Sequence, residues 1–418
     1  MNILNISIED SLGAGRAAYF LHKNFISAGH NSKLLVLNKT ADDDNVILYN
    51  EPVSQKIINR VSNKLRRKVP SDPNYYFFNK NERSNYLSTK VLLSLVPFRP
   101  DAIIIHSVSK FINARNIREL HLMTGAPIFW QGVDMAPLTG GCHYAWECTR
   151  YLAACGSCPA IYSEFDKDLT YQNLEYKRNQ LRNTNLIFVA PTSNIEKQAR
   201  QSSLFKDRPI RKIMLAVDNT IFRPFDKSAA RDLLNIPKDK KIILFGSTSL
   251  KDERKGYKYL LESLNFFYDR ITPLQREKYF CAIIGKNYNG EQFELPFESK
   301  CFGYFKDDLS LALAYQSADI FLSASIQDVG PMMINESIMC GTPVVSFEIG
   351  VAPDLVHTGL TGYRAELKNS LDLSKGILQV LDQSSEQHSQ MSNNCRQMGL
   401  KLLHSSVQVE SFLKLLSK

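Results

Sequence analysis

Asp328 and Glu336 stand eight residues apart in SIQDVGPMMINESIMCGTPVVSFE, with Gly330 and Pro331 between them. Proline suits the first position of a helix, because its φ is already near the helical value and its missing N–H costs no bond there. The run therefore predicts a loop that turns into a helix at Pro331, with Gly330 keeping the helix mouth open. Free N–H groups and the positive end of the helix dipole at such a mouth favour a diphosphate. Glu336 lies five residues further on, about 7–8 Å along a helix axis. At that depth its carboxylate can accept both hydroxyls of a ribose, while Asp328 on the loop faces the sugar beyond the phosphates.

A second phosphate-compatible feature lies near the start. IEDSLGAGRAAYFLHK contains Gly13, Gly15 and Ala18, a G-x-G-x-x-A pattern opening a helix. Four residues separate Ile8 from Gly13, looser than the tight turn of a dinucleotide fold, and the next strand ends in LLVLNKT with no acidic residue for an adenosine ribose. These two departures count against an NAD oxidoreductase. What survives is a glycine loop that lets a diphosphate or a sugar approach the backbone.

The elements that must position these residues read as two α/β halves. MNILNISI, SKLLVLN, DAIIIHSV, PIFWQGVD, NLIFVAPTS and RKIMLAVD punctuate the first half, and KKIILFGS, FCAIIGK, SKCFGYF, DIFLSAS and TPVVSFE the second. Continuous apolar runs alternating with helical stretches predict parallel sheets covered on both faces. The pattern restarts near Lys240, after a polar passage containing Phe222-Arg223-Pro224. At 418 residues, two domains are the natural expectation: 1–208 and 209–399, Rossmann-like, with ligands bound beyond the carboxyl ends of the strands in the cleft they face. No run of eighteen apolar residues exists, so a spanning helix is excluded. The N-terminus reads as a buried first strand with no leader pattern, so a cytoplasmic protein is expected.

Charge is uneven. Of the net +9, residues 1–200 carry +7, from 24 Lys and Arg against 17 Asp and Glu. A basic first half suggests an anionic partner, or only a solvated face. No ordered array of basic and aromatic residues supports nucleic acid. In SQKIINRVSNKLRRKV, Ile57, Ile58, Val61, Leu65 and Val69 form one helical stripe flanked by Lys56, Arg60, Lys64, Arg66, Arg67 and Lys68. Such a helix either lies on an anionic membrane surface or docks with a solvated basic rim.

The Asp328–Glu336 region resembles the E-x7-E segment of retaining glycosyltransferases of family 4, which have the GT-B fold. CGTPVVSFEIGVAPDLVHTGLTGY, SLGAGRAAYFLHK, TGGCHY…CGSCP, VDNTIFRP, KDERKGYKYLLESL and FGYFKDDLSLALAYQSADIFLSAS are similar to family segments in the same order. The resemblance covers nearly the whole chain. It implies a retaining transfer of sugar from a nucleotide-diphosphate donor to a saccharide acceptor, one linked to lipid, in bacterial surface polysaccharide or O-antigen synthesis. It also implies that the final helix, 400–418, crosses back to the first domain.

In that family Glu336 would bind the ribose, Asp328 would orient the donor sugar, and Lys255 with Arg254 would reach the diphosphate. Gly13, Gly15, Gly330, Pro331, Gly303 and Tyr304 would line the donor. Two cations and a helix mouth stabilise a departing diphosphate without a metal, so no cofactor is expected for catalysis. Three departures stand out. Val133 occupies the position of a family histidine that helps hold the donor sugar, leaving Asp134, with His106 the nearest substitute on the sugar or acceptor side. Leu215-Ala216 replaces the family's Asn-Gly, and the spacer from Gly246 to Lys255 is long. A catalytically impaired GT-B protein that binds nucleotide sugar or a partner enzyme is the alternative.

Cys142, His143, Cys148, Cys155 and Cys158 crowd into seventeen residues. The C-x-x-C pair favours a structural zinc, but gaps of five and six residues are irregular for a zinc ribbon. Reduced buried thiols fit a reducing compartment, and disulfides do not. The zinc and the buried thiols both stand as readings of this loop.

Overall fold

The computed structural model describes the chain except for residues 53–60, 62–68, 79–81, 84–86, 248, 250, 286–294 and 417–418. The chain divides into two compact units, Met1–Met214 with Gln408–Lys418, and Leu215–Val407.

The first unit is built on seven parallel strands: β1 (Asn2–Glu9), β2 (Asn31–Asn38), β3 (Val46–Leu48), β4 (Ala102–Ile105), β5 (Ile128–Gln131), β6 (Leu186–Ala190) and β7 (Ile210–Lys212). They lie in the order β3-β2-β1-β4-β5-β6-β7, each neighbouring pair parallel. The second unit has six: β8 (Lys241–Gly246), β9 (Tyr279–Ile284), β10 (Ser299–Cys301), β11 (Ile320–Ser323), β12 (Val344–Phe347) and β13 (Gly362–Ala365), in the order β10-β9-β8-β11-β12-β13. The order reverses between β1 and β4 in one sheet and between β8 and β11 in the other. Loops leaving the carboxyl ends of those strands splay apart there and open a crevice.

The central strands are the apolar runs expected from the sequence, because a strand covered by helices on both faces has no polar side. AIII of β4, YFCAII of β9 and VVSF of β12 are buried along their whole length. Two strands carried no such signature. β3 has three residues and β13 reads Gly-Tyr-Arg-Ala; both are edge strands, half solvated and short. In RKIMLAVD only the first two residues belong to a strand, β7, while Ile213–Val217 are buried outside it.

Most long helices begin with a side-chain cap. Asn113, Asp168, Thr192, Asp226 and Asp307 each accept a backbone N–H of the first turn. Ser11, before helix Leu12–Ser27, and Pro331, before helix Met332–Cys340, give no such bond. The first turns at the glycine loop and at the Asp328 loop are thus left without a side-chain acceptor.

In the second unit Asp319 ties three elements together. Its carboxylate accepts from Arg231, Lys227 and the Ile242 N–H at 2.8, 2.9 and 2.7 Å, and its carbonyl meets His388 Nε2 at 2.9 Å. In the first unit Phe412 of the last helix, Ser405–Leu416, packs edge-on against Phe25 and Phe129 with centroids 6.0 and 5.8 Å apart. Among the described residues no helix is long and apolar enough to cross a membrane. The basic amphipathic stretch 54–69 falls almost entirely outside the described residues.

Candidate functional site

At the reversal of the second sheet, two loops meet. The turn Glu253–Lys255 follows β8, and the segment 324–331 follows β11. The Arg254 carbonyl accepts the Ile326 N–H at 2.8 Å, which fixes one loop on the other. Gly256 makes this approach possible. Its φ is +64°, and a Cβ there would sit 1.9 Å from the Ala324 carbonyl oxygen. Gly256→Ala is expected to cost about 2 kcal/mol or more, from left-handed strain plus the displaced loop. Urea unfolding of the variant would measure it; an unchanged midpoint would contradict this account of the turn.

The approach brings two expected site residues into contact. Lys255 Nζ donates to Asp328 Oδ2 at 2.6 Å, and Asp328 Oδ1 accepts the Gly330 N–H at 3.1 Å. Burial pushes the Asp328 carboxyl up, but Lys255, Arg254 and the Gly330 N–H outweigh it and hold the group below the usual carboxylate range. Arg254 pairs with Asp252. Lys255 is thus engaged by Asp328, and a diphosphate would meet an ion pair rather than a lone ammonium. Pro331 differs from expectation: with φ −61° and ψ 112° it is the residue before the helix, which starts at Met332. Its ring fixes φ and leaves ψ free, so the turn set by Asp328 and Gly330 decides where the helix begins.

Glu336 lies on this helix, 1% exposed, and accepts the Tyr315 hydroxyl at 2.8 Å. A ribose would have to be accepted beside that hydroxyl or in its place. Tyr315 comes from the helix Asp308–Ser317, twenty-one residues earlier, and no local spacing announced it. Gly303, with φ +71° and open space where a Cβ would stand, follows β10; Tyr304 beside it is partly exposed. The replacement at Leu215-Ala216 does carry a contact, since the Leu215 carbonyl accepts from Asn335 Nδ2 at 3.2 Å.

In the first unit Gly13 has φ +42° and nothing near its missing Cβ, whereas a Cβ at Gly15 would meet the Glu9 carbonyl oxygen at 2.7 Å. Gly13 opens the loop, and Gly15 lets the helix press on the end of β1. Asp10 is used locally, accepting the Thr40 and Ala41 N–H groups at the end of β2. His106, at the end of β4, is buried. Its Nε2 lies 3.1 Å from Asn5 Oδ1, and desolvation drives its pKa down to about 3. It is a neutral group of the sheet's end, lining the same small cavity as Asp134.

The cysteine loop has a different architecture from a metal knuckle. Lys177, itself buried, donates to the Ala136 and Thr139 carbonyls at 2.7 and 3.0 Å, and Asn173 Nδ2 to the Gly140 carbonyl at 2.9 Å. The Met135 N–H bonds to the His143 carbonyl at 3.0 Å. These bonds fold His143 back onto Asp134, Nδ1 to Oδ2 at 2.9 Å, and His143 Nε2 meets Ser109 Oγ at 2.9 Å. Both imidazole nitrogens are thereby committed. Cys142, Cys148, Cys155 and Cys158 are all free thiols. Burial raises the pKa of Cys142, Cys155 and Cys158, with a smaller contribution from the neighbouring thiols, and Cys155 is pushed up to about 12. Among the described residues no three His, Cys, Asp or Glu side chains are placed to hold a metal ion. Of the residues Cys142, His143, Cys148, Cys155 and Cys158, His143 is turned to Asp134 and Ser109.

Residues 226–398 match the family described as Glycosyl transferases group 1. A D-inositol 3-phosphate glycosyltransferase 2 of Catenulispora acidiphila is 28% identical over 177 residues, which are 40% of this chain and 41% of that protein. The chain thus aligns with less than half the length of this curated relative. Among solved structures, Anabaena HepE in complex with UDP-glucose superposes with a TM-score of 0.64 at 14% identity, covering all of both chains. WaaG, a glycosyltransferase involved in lipopolysaccharide biosynthesis, gives 0.62 at 13% identity over 98% of this chain and 99% of its own. The fold is GT-B, and the second unit carries a glycosyltransferase group 1 domain.

Proposed function

We propose that this GT-B protein transfers a sugar, with retention, from a nucleoside-diphosphate donor to a saccharide acceptor, without a metal. The observation that carries the reading is the Lys255–Asp328 pair at the reversal of the second sheet, beside the uncapped start of helix Met332–Cys340 and inside the stretch that matches the group 1 family. As the sugar–phosphate bond breaks, negative charge grows on the diphosphate. Lys255, the nearby Arg254 and the first-turn N–H groups are preorganised donors for that charge. Asp328 keeps its negative charge beside the developing positive charge of the sugar, and Glu336 takes the ribose at the depth of its helix.

A UDP sugar heads the list of donors, since a GT-B neighbour binds UDP-glucose. Surface polysaccharide is the acceptor class, in line with the neighbour that acts in lipopolysaccharide synthesis; a lipid-linked oligosaccharide on the inner face of the membrane is its natural form. The test is a panel of UDP, GDP, ADP and dTDP sugars incubated with purified protein and assayed for released nucleoside diphosphate. One donor is expected to exceed the others by at least about tenfold, the factor of 1.4 kcal/mol in discrimination. Tight binding of UDP or GDP with no release from any sugar would replace this reading by that of a nucleotide-sugar-binding protein.

A further inference from the structure

We propose that Tyr76, Phe78 and Tyr144, with Lys110 beside them, form a platform on the first unit that binds an acidic saccharide, a pyranose bearing a carboxylate or a phosphate. The inference rests on the glycosyl-transfer reading for the role of that saccharide, the acceptor; the binding itself needs no donor. Three separate segments supply the platform: residues 72–78, the loop after β4 and the cysteine loop after β5. The last two leave the carboxyl ends of their strands, the end at which open α/β sheets bind ligands.

The rings form a stepped surface. Phe78 is 39% exposed, and Tyr76 and Tyr144 are partly so. Tyr76 stands at 90° to Phe78 with centroids 5.8 Å apart, and at 81° to Tyr144 with centroids 5.6 Å apart. Neighbouring rings at right angles cannot clamp a flat base between them, which argues against a nucleobase. A pyranose chair has an apolar C–H face that rests on one ring and a polar rim that stays in water, and mixed sites of this kind suit it.

Charge selects among saccharides. Lys110 is exposed, and its Nζ lies 4.1 Å from the Phe78 ring centroid. A cation over a ring is held in place by the ring's quadrupole and keeps its full charge. Among the described residues Lys110 enters no ion pair, so its ammonium is available to a carboxylate or phosphate on a sugar seated at Phe78. The excess of +7 on residues 1–200 draws the same class of ligand to this unit.

The backbone is bent to hold this arrangement. Tyr76, Lys110 and Trp146 have φ of 48°, 70° and 53°, left-handed values that bulky residues adopt only where the surroundings impose them, and such residues gather at ligand sites. The imposing bonds join the segments. The Tyr75 carbonyl accepts the His143 N–H at 3.0 Å, and the Asn74 carbonyl accepts Trp146 Nε1 at 3.0 Å. Gly141 admits Phe77, since a Cβ there would sit 2.3 Å from that ring; Phe77 is buried while Phe78 next to it faces out. The bracing of the cysteine loop by Lys177 and Asn173 thereby acquires a purpose: it sets the loop that carries Tyr144 against the segment that carries Tyr76 and Phe78.

The test is saturation-transfer NMR on the full chain without nucleotide, titrated with methyl β-glucuronoside, glucose 6-phosphate and methyl β-glucoside. Irradiating the aromatic protons should saturate the pyranose ring protons of all three. The two anionic sugars are expected to bind about two- to fivefold more tightly than the neutral one, the range of an exposed charge pair, and Lys110→Gln should abolish that difference. Phe78→Ala should weaken all three by about fivefold or more, through loss of the ring contact. Both side chains are exposed, so urea midpoints equal to wild type separate a lost site from a lost fold; should Phe78→Ala unfold, Lys110→Gln carries the test alone. No saturation of any sugar, equal affinity for all three in wild type, or a difference that survives Lys110→Gln would overturn the platform. So would sedimentation with phosphatidylglycerol vesicles that depends on Phe78 while no sugar is saturated, which would give the rings to a membrane surface. Sugar binding as expected, with no diphosphate released from any donor of the panel, would sink the transfer reading and leave the platform standing.

Discussion

Lys255→Ala is expected to lower nucleoside diphosphate release by about 10²–10³-fold, the range that removing one preorganised charge-stabilising group costs. The size follows from two losses in one substitution. The leaving diphosphate loses a cation, and Asp328 loses the partner that donates to it at 2.6 Å. Asp328 is 11% exposed at its side chain, so little water replaces the ammonium. Its carboxyl, held below the usual range in the intact pair, should rise, and the acid limb of the pH–rate profile should move to higher pH. The sign for stability is that of any depressed carboxyl. The contribution is fully present above the unfolded value of about 3.9 and is lost as pH falls through the lower folded value. A profile from pH 3 to 8 for wild type and Lys255→Ala measures both effects. An acid limb that does not move would show that Lys255 does not control Asp328.

Asp319→Ala is expected to destabilise the second unit by about 3–5 kcal/mol, the cost of breaking a buried ion pair by removing one partner. Arg231 and Asp319 are each 7% exposed at the side chain, and the substitution leaves the guanidinium in the interior without its counter-charge, bonded only to the Ser317, Lys238 and Lys240 carbonyls. It also removes the acceptor of the Ile242 N–H at the start of β8. By contrast the exposed pair Lys258–Glu262, with side chains 79% and 41% exposed, belongs to the class worth under about 1 kcal/mol. Urea unfolding of Asp319→Ala and Lys258→Ala side by side would test the ranking. Equal midpoints would mean that Asp319 is not the fastening of that unit.

The sheets were legible in the sequence because their central strands are buried on both faces, and such strands advertise themselves as apolar runs. β3 and β13 were not, since an edge strand of three or four residues needs no such run. Asp328 and the start of the helix near Pro331 could be placed from spacing, because a turn and a helix mouth are local events, whereas Lys255 entered through the family resemblance. The partners that bind these residues could not be read that way. Tyr315 reaches Glu336 from another helix, and Ser109 reaches His143 from the loop after β4. Side chains from separate strand ends meet only when the sheet order is known. The cysteines drew attention to a metal because four thiols and a histidine crowd one loop. What their spacing could not reveal was Lys177, whose bonds to two loop carbonyls turn His143 toward Asp134.

The division of the chain into Met1–Met214 with Gln408–Lys418, and Leu215–Val407, sets an order of events on the ribosome. The first unit emerges early, but Val409 and Phe412, buried with Ile3, Phe25 and Phe129 in its core, are made after the whole of the second unit. At synthesis rates of about 5–20 residues per second, the nascent first sheet waits roughly ten to forty seconds with the Phe412 seat uncovered. The second unit, contiguous in sequence, can close on its own in that interval. The unit begun first is therefore the one completed last, its Phe25–Phe129 face covered only when Phe412 arrives.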